Sequence, residues 1–97
     1  MPRTSVTVTA QNTFSAPIRI VGGFDVSVSG TFSAIVTVQR SEDSTTWRDV
    51  KTWTLPSEEV GYDPILTYYR LGVKTAEYTS GTVVASINGY DVWPNRL

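Results

Sequence analysis

A chain of 97 residues with net charge −1, 40% hydrophobic and only 18% charged residues is long enough for one domain around a single modest core. It has no cysteine and no histidine. That excludes a disulfide framework, thiolate chemistry, and the commonest general base and transition-metal ligand. Its 8 Lys and Arg are spread evenly, with no basic face to track a phosphate backbone, so no direct nucleic-acid partner is expected.

Ser and Thr make up about a quarter of the chain, and Val and Thr are strand formers because branching at Cβ suits a pleated, half-buried surface. Helix-forming runs of Ala, Leu, Glu and Lys are missing. The expected class is all-β: an antiparallel β-sandwich, Ig-like or jelly-roll-like, of seven to eight short strands over residues 1–97. No apolar run approaches the ~20 residues that span a bilayer, and the start, Met1 to Val6, lacks the apolar stretch of a signal peptide. Neither membrane insertion nor signal-directed export is expected.

From Ser5 to Ala10 the pattern alternates, with Val6, Val8 and Ala10 on one face, which predicts a half-buried strand. Gln11 to Thr13 reads as a turn. Pro17 to Val21 predicts a second strand with Ile18 and Ile20 inward, and Pro17 is tolerated at its start. Gly22-Gly23 predicts a hairpin turn, then Phe24, Val26 and Val28 point inward from a third strand. Ser29-Gly30-Thr31 is read as the next turn. Phe32, Ala34, Val36 and Val38 face inward from a fourth strand, whose other face includes Ile35. That half-apolar second face predicts a central strand or one covered by a partner. On this reading Phe24 to Trp53 is a three-stranded meander to which the other strands are added.

Ser41 to Thr46 is a polar turn, and Trp47 to Leu55 a fifth strand. Trp47 and Val50 share no face with Trp53 unless a bulge intervenes; Trp53 is placed inward. Pro56 to Pro64, with two Pro, one Gly and three carboxylates, reads as a surface loop. A sixth strand, Ile65 to Val73, points Tyr69, Leu71 and Val73 inward and Tyr68 and Arg70 the other way. Tyr78 plugs the end of the core, and Val83, Ala85 and Ile87 face inward from a seventh strand. Asn88-Gly89 is a turn dipeptide. Residues 1–4 and 89–97 are candidate docking arms, the second carrying Tyr90 and Trp93.

No nucleophile–base pair stands out, and no catalytic residue, cofactor or metal site is assigned. Glu58, Glu59 and Asp63 carry oxygen ligands of the kind Ca²⁺ takes, but a solvated acidic loop is the plainer meaning. Ser41, Asp43, Thr46 and Trp47 resemble the Asp-box of sialidase-type propellers, one residue short and without its Gly. The implied role is a hairpin stapled by Asp43. Trp47, Trp53, Tyr62, Tyr68, Tyr69, Tyr78, Tyr90 and Trp93 offer faces for sugar stacking, although aromatic residues more often serve as core or interface anchors.

The run Val26 to Val50, containing Val-Gln-Arg-Ser (38–41) and Thr-Trp-Arg-Asp-Val (46–50), followed by Tyr-Tyr-Arg-Leu-Gly (68–72) and Tyr-Thr-Ser-Gly-Thr-Val (78–83), resembles small β-sandwich structural proteins of tailed bacteriophages. Capsid decoration proteins, head fibres and tail adaptors are of this type. The resemblance spans roughly Phe24 to Ile87 and implies a non-enzymatic virion protein, made in the bacterial host cytoplasm and oligomeric on the particle. Its expected partner is the major capsid protein or another virion protein. The alternative is an adhesion module that binds host surface glycans. Ile35, Trp47, Tyr68, Tyr90 and Trp93 are the residues expected to meet a partner.

Overall fold

The computed structural model describes residues 2–90. Seven strands follow in order: β1 (Arg3–Val8), β2 (Thr13–Phe14), β3 (Ile18–Ala34), β4 (Val36–Ser41), β5 (Arg48–Trp53), β6 (Ser57–Val73) and β7 (Tyr78–Gly89). All pairs are antiparallel, in the order β1-β7-β3-β6-β4-β5, with β2 on β6. The expected all-β antiparallel fold is what forms.

The two 17-residue strands, β3 and β6, hold the sheet together. β3 pairs with β6 from Ile18 to Val28 and with β7 from Phe24 to Ala34, so its middle is bonded on both edges. Val8 at one end of the strand order and Trp53 at the other belong to a single buried cluster with Ile20, Val28, Val36, Leu71, Val73, Val83 and Ile87. The sheet therefore wraps over itself around one core. Principal extents of 44 × 26 × 18 Å fit two layers at the usual spacing of about 10 Å.

Five expectations are corrected. Gly22-Gly23 is not a hairpin, because β3 continues through it with Gly22 at φ 83. A two-residue turn would set Val21 opposite Phe24 and throw Ile20 and Phe24 onto opposite faces. Both are buried, which only an unbroken strand allows. Ser29-Gly30-Thr31 is likewise strand. Gly30 (φ 104) and Gly81 (φ 90) lie near the same level of the β3–β7 ladder and bend both strands together, the use of positive φ that glycine permits. β3 and β4 are therefore not adjacent, and the expected meander from Phe24 to Trp53 is reduced to the β4–β5 hairpin.

The expected loop Pro56–Pro64 is instead mostly the first half of β6, paired with β3 from Ser57↔Val28 to Asp63↔Gly22. The ladder breaks only after Asp63, where β3 advances from Gly22 to Ile20 while β6 passes Pro64, Ile65 and Leu66. Proline cannot donate to a ladder, and irregularity gathers there. Asn88-Gly89 is strand as well, paired with Asp25 and Phe24 of β3, and a Cβ at Gly89 would meet Ile20 Cδ1 at 2.7 Å. Pro2 and Gly89 are joined by a Gly89 N–H to Pro2 carbonyl bond of 2.8 Å, so residues 2–4 and 89–90 are part of the sheet edge. The remainder of the expected C-terminal arm lies outside the described residues.

β4 lies between β6 and β5, and only Arg40 within it is not buried. Ile35, on which the expected apolar second face rested, lies outside it and is exposed. That face is instead polar, with Thr37, Gln39 and Ser41. Its Thr37 is fully buried, and the Thr37 hydroxyl has no hydrogen-bond partner among the described residues. Thr37→Val, which removes that desolvated hydroxyl at nearly constant shape, is expected to raise stability by about 1 kcal/mol. A urea-denaturation midpoint at or below the parent value would contradict this.

Candidate functional site

Three polar constructions interrupt the apolar fold. The first is Asp63, only 3% exposed. Its Oδ2 accepts from Arg40 Nε and from Tyr69 Oη, both at 2.8 Å, and its Oδ1 accepts from the Ile65 amide at 3.2 Å. Arg40 Nη2 also reaches Thr67 Oγ1 at 3.3 Å. Burial pushes the Asp63 carboxyl up, but the Arg40, Tyr69 and Ile65 hydrogen bonds and the guanidinium charge outweigh it and hold the carboxyl below its ordinary range. The hydrogen bond to Asp63 in turn raises the Arg40 guanidinium. Burial, then the bond to Asp63, pushes the Tyr69 phenol up to about 12.

The three carboxylates of the expected acidic loop are held by separate partners. Asp63 faces Arg40, Glu58 accepts from Ser27 Oγ, and Glu59 accepts from Lys51 Nζ at 2.6 Å and Trp53 Nε1 at 2.8 Å. Alternation along a strand sends Glu58 to one face and Glu59 and Asp63 to the other. Among the described residues no group of three or more His, Cys, Asp or Glu is placed to hold a metal ion.

The second construction is the β4–β5 turn. Asp43 Oδ1 accepts from the Thr45 and Thr46 amides at 2.8 Å each and from Ser41 Oγ at 2.9 Å. Those amide bonds, with Ser41, lower the Asp43 carboxyl to about 2. Asp43 staples the hairpin as its spacing suggested, and Ser44 takes φ 62 to close it. The expected bulge follows in β5: Val38 pairs with Lys51 and Gln39 with Asp49, leaving Val50 as the extra residue.

The third is built on Arg70. Its guanidinium carbon lies 4.4 Å from the ring centroid of Phe14 and 4.4 Å from that of Trp47. Arg70 Nε donates to Gln39 Oε1 at 2.9 Å, Gln39 Nε2 donates to Asp49 Oδ1 at 2.9 Å, and Lys74 Nζ donates to Asp49 Oδ2 at 2.6 Å. Burial lowers the Arg70 guanidinium. Alternation put Arg70 on the face away from Tyr69, but β2, which delivers Phe14 to it, pairs with Val73 and Gly72, far along the chain.

The residues expected to meet a partner are dispersed. Ile35 is exposed at the break between β3 and β4, where its amide donates to Glu77. Trp47 is half-buried against Arg70. Tyr68 is half-buried opposite Arg19 and Ser41. Tyr90 lies over Gly23, and its hydroxyl donates to Asp25. Trp93 lies outside the described residues. Among the other aromatic residues considered for sugar stacking, Trp53 and Tyr69 are buried and Tyr78 packs against the core.

Sequence reasoning missed three exposed apolar residues of β6, Val60 at 81% and Ile65 and Leu66 each at 51%; Tyr62, considered there for sugar stacking, is 46% exposed beside them. From Ser57 to Leu66 strand β6 is paired on its β3 side alone among the described residues, whereas β4 joins its other edge only from Tyr68 onward. An edge of this kind presents unpaired backbone donors and acceptors beside apolar side chains. No family model matches the chain, and no curated protein or solved structure matches it.

Proposed function

We propose that the protein is a non-enzymatic structural component of a tailed-phage virion, a capsid decoration protein that binds the assembled head and stabilises it. The motif resemblance between Phe24 and Ile87 supplies the class. The observation that carries the docking role is the β6 edge left unpaired among the described residues, with Val60, Ile65 and Leu66 exposed beside it. Apolar side chains next to a free strand edge suit burial against another protein through strand addition and side-chain pockets. The polar constructions serve the fold in this reading: Asp63 and Asp43 have their acceptor positions taken up by the chain's own donors.

The test is co-sedimentation with DNA-free expanded heads of the phage that encodes the chain. The parent protein is expected to bind saturably. Val60→Asp combined with Ile65→Asp is expected to weaken binding at least tenfold, about 1.4 kcal/mol. Failure of the parent protein to sediment with the heads would sink the proposal.

A further inference from the structure

An apolar cavity of about 130 Å³ lies beside the first half of β6. Its floor includes the core side chains Phe24, Val38 and Tyr69, none more than 8% exposed, and its mouth is formed by Val50 of β5 and Val60 of β6, both exposed. Along this half of β6 the residues Glu59, Gly61 and Asp63 face inward. Glu59 reaches across to β5, where Lys51 Nζ and Trp53 Nε1 donate to it. Gly61, on the cavity wall, has no side chain to place in it. An apolar cavity of about 150 Å³ takes a benzene ring, so this one is the size for a single aliphatic side chain.

We propose that this cavity receives an aliphatic side chain from a strand of a different protein, laid antiparallel along β6 with that residue opposite Gly61. The edge from Ser57 to Asp63 is paired on its β3 side alone among the described residues, and Pro64, which has no N–H to donate, marks its end. On an added strand, inward side chains fall opposite the inward residues of β6. Charge sets the rest of the partner's chemistry. Asp25 and Glu58 stand beside Val60 on the outer face and are held by neutral donors, Asn88 and Tyr90 for Asp25 and Ser27 for Glu58. Neither makes an ion pair among the described residues. A Lys or Arg three residues after the aliphatic one comes opposite Glu58 and supplies the missing cation. A second copy suits the edge poorly. Its own β6 would bring Glu59, Gly61 and Asp63 to the inward positions, none of them aliphatic, and more carboxylates to an acidic rim.

This inference rests on the docking reading of the β6 edge but not on the virion identity, and its test needs no heads. The probe is the capped peptide acetyl-Ser-Thr-Leu-Val-Ser-Lys-Thr-amide, titrated to millimolar concentration while the Trp53 Nε1–H resonance is followed by NMR. A saturable shift is expected. The analogue with Ala in place of Leu should bind at least about tenfold more weakly, because the aliphatic group that fills the cavity is gone. The analogue with Glu in place of Lys should bind about fivefold more weakly, by a margin that shrinks as salt is added. Val50→Asp, at an exposed position of the mouth, is expected to abolish the preference for Leu over Ala. No saturable shift, or equal binding of the Leu and Ala peptides to the parent protein, would overturn the proposal. A dimer in sedimentation velocity that dissociates as the peptide binds would overturn the choice of a different protein as partner. Peptide binding without head binding would remove the virion reading alone, and head binding unchanged by Val50→Asp would remove this one alone.

Discussion

Arg40→Leu is expected to destabilise the protein by about 3–5 kcal/mol at pH 7, the usual consequence of stranding a buried charge. Asp63, 3% exposed, would keep only the Tyr69 hydroxyl and the Ile65 amide as donors. The reverse change, Asp63→Asn, should be milder. Arg40 is 32% exposed and has Glu42 Oε2 at 3.8 Å, so its charge can turn to water. In the parent protein the Asp63 carboxyl sits below its ordinary 3.8. The folded state then binds fewer protons than the unfolded chain between the two values. Its contribution is complete above 3.8 and is lost as pH falls through the lower, folded value.

In Arg40→Leu burial is opposed only by the Tyr69 and Ile65 hydrogen bonds, and the carboxyl is expected to rise instead. Stability should then fall, not climb, as pH rises through and above 4. Urea midpoints at pH 3 to 7 measure this, and parallel pH profiles for parent and variant would refute it. At the alkaline end Tyr69, pushed up to about 12 from 10.0, has the opposite sign. The folded state holds the proton longer, so that contribution is complete below 10 and disappears as pH rises toward 12.

Gly72→Ala is the second large effect. A Cβ at Gly72 would lie 2.0 Å from the Thr13 carbonyl oxygen and 2.7 Å from Phe14 Cα, both backbone atoms that no rotamer can move. The variant must give up the β2–β6 pairing or shift it, at about 3 kcal/mol or more, the upper part of the overpacking range. Because β2 carries Phe14, the contact of Phe14 with Arg70 should loosen too, seen as a changed Trp47 fluorescence and a lost Arg70 Nε–H protection. Gly23→Ala is the control: its Cβ meets only the Tyr90 ring, at 3.1 Å, and a change within about 1 kcal/mol is expected. Equal losses in the two variants would show that the close approach at Gly72 is not what matters.

Much of the inward face was readable residue by residue. Ile20, Phe24, Val26, Val28, Val36, Val38, Tyr69, Leu71, Val73, Val83, Ala85 and Ile87 are buried, each at a position whose alternation pointed inward. Trp53 is buried as placed, and the Asp43 staple and the β5 bulge follow from local spacing. The first half of β6 was not readable because its pattern is inverted. Its inward positions hold Ser57, Glu59, Gly61 and Asp63, while Val60 and Tyr62 face out. Glu59 faces in to meet the Trp53 indole, Asp63 to meet Arg40, and Gly61 leaves room for the Phe24 ring, 2.5 Å from where its Cβ would be.

By itself, then, the sequence determined the class and the side-chain alternation, because both depend on neighbours one to three residues away. Period two decides which face is apolar, and short polar spacings decide local turns. Strand length and strand order were decided only by the tertiary structure. A glycine pair reads the same whether it reverses a strand or bends it, and the partner that settles the matter lies tens of residues off: Gly61 for Phe24, Phe14 for Gly72, Val83 for Gly30. The Arg70 contacts have the same origin. Phe14, Trp47 and Arg70 come from three separate stretches of the chain, and only the β2–β6, β4–β6 and β4–β5 pairings bring them into contact.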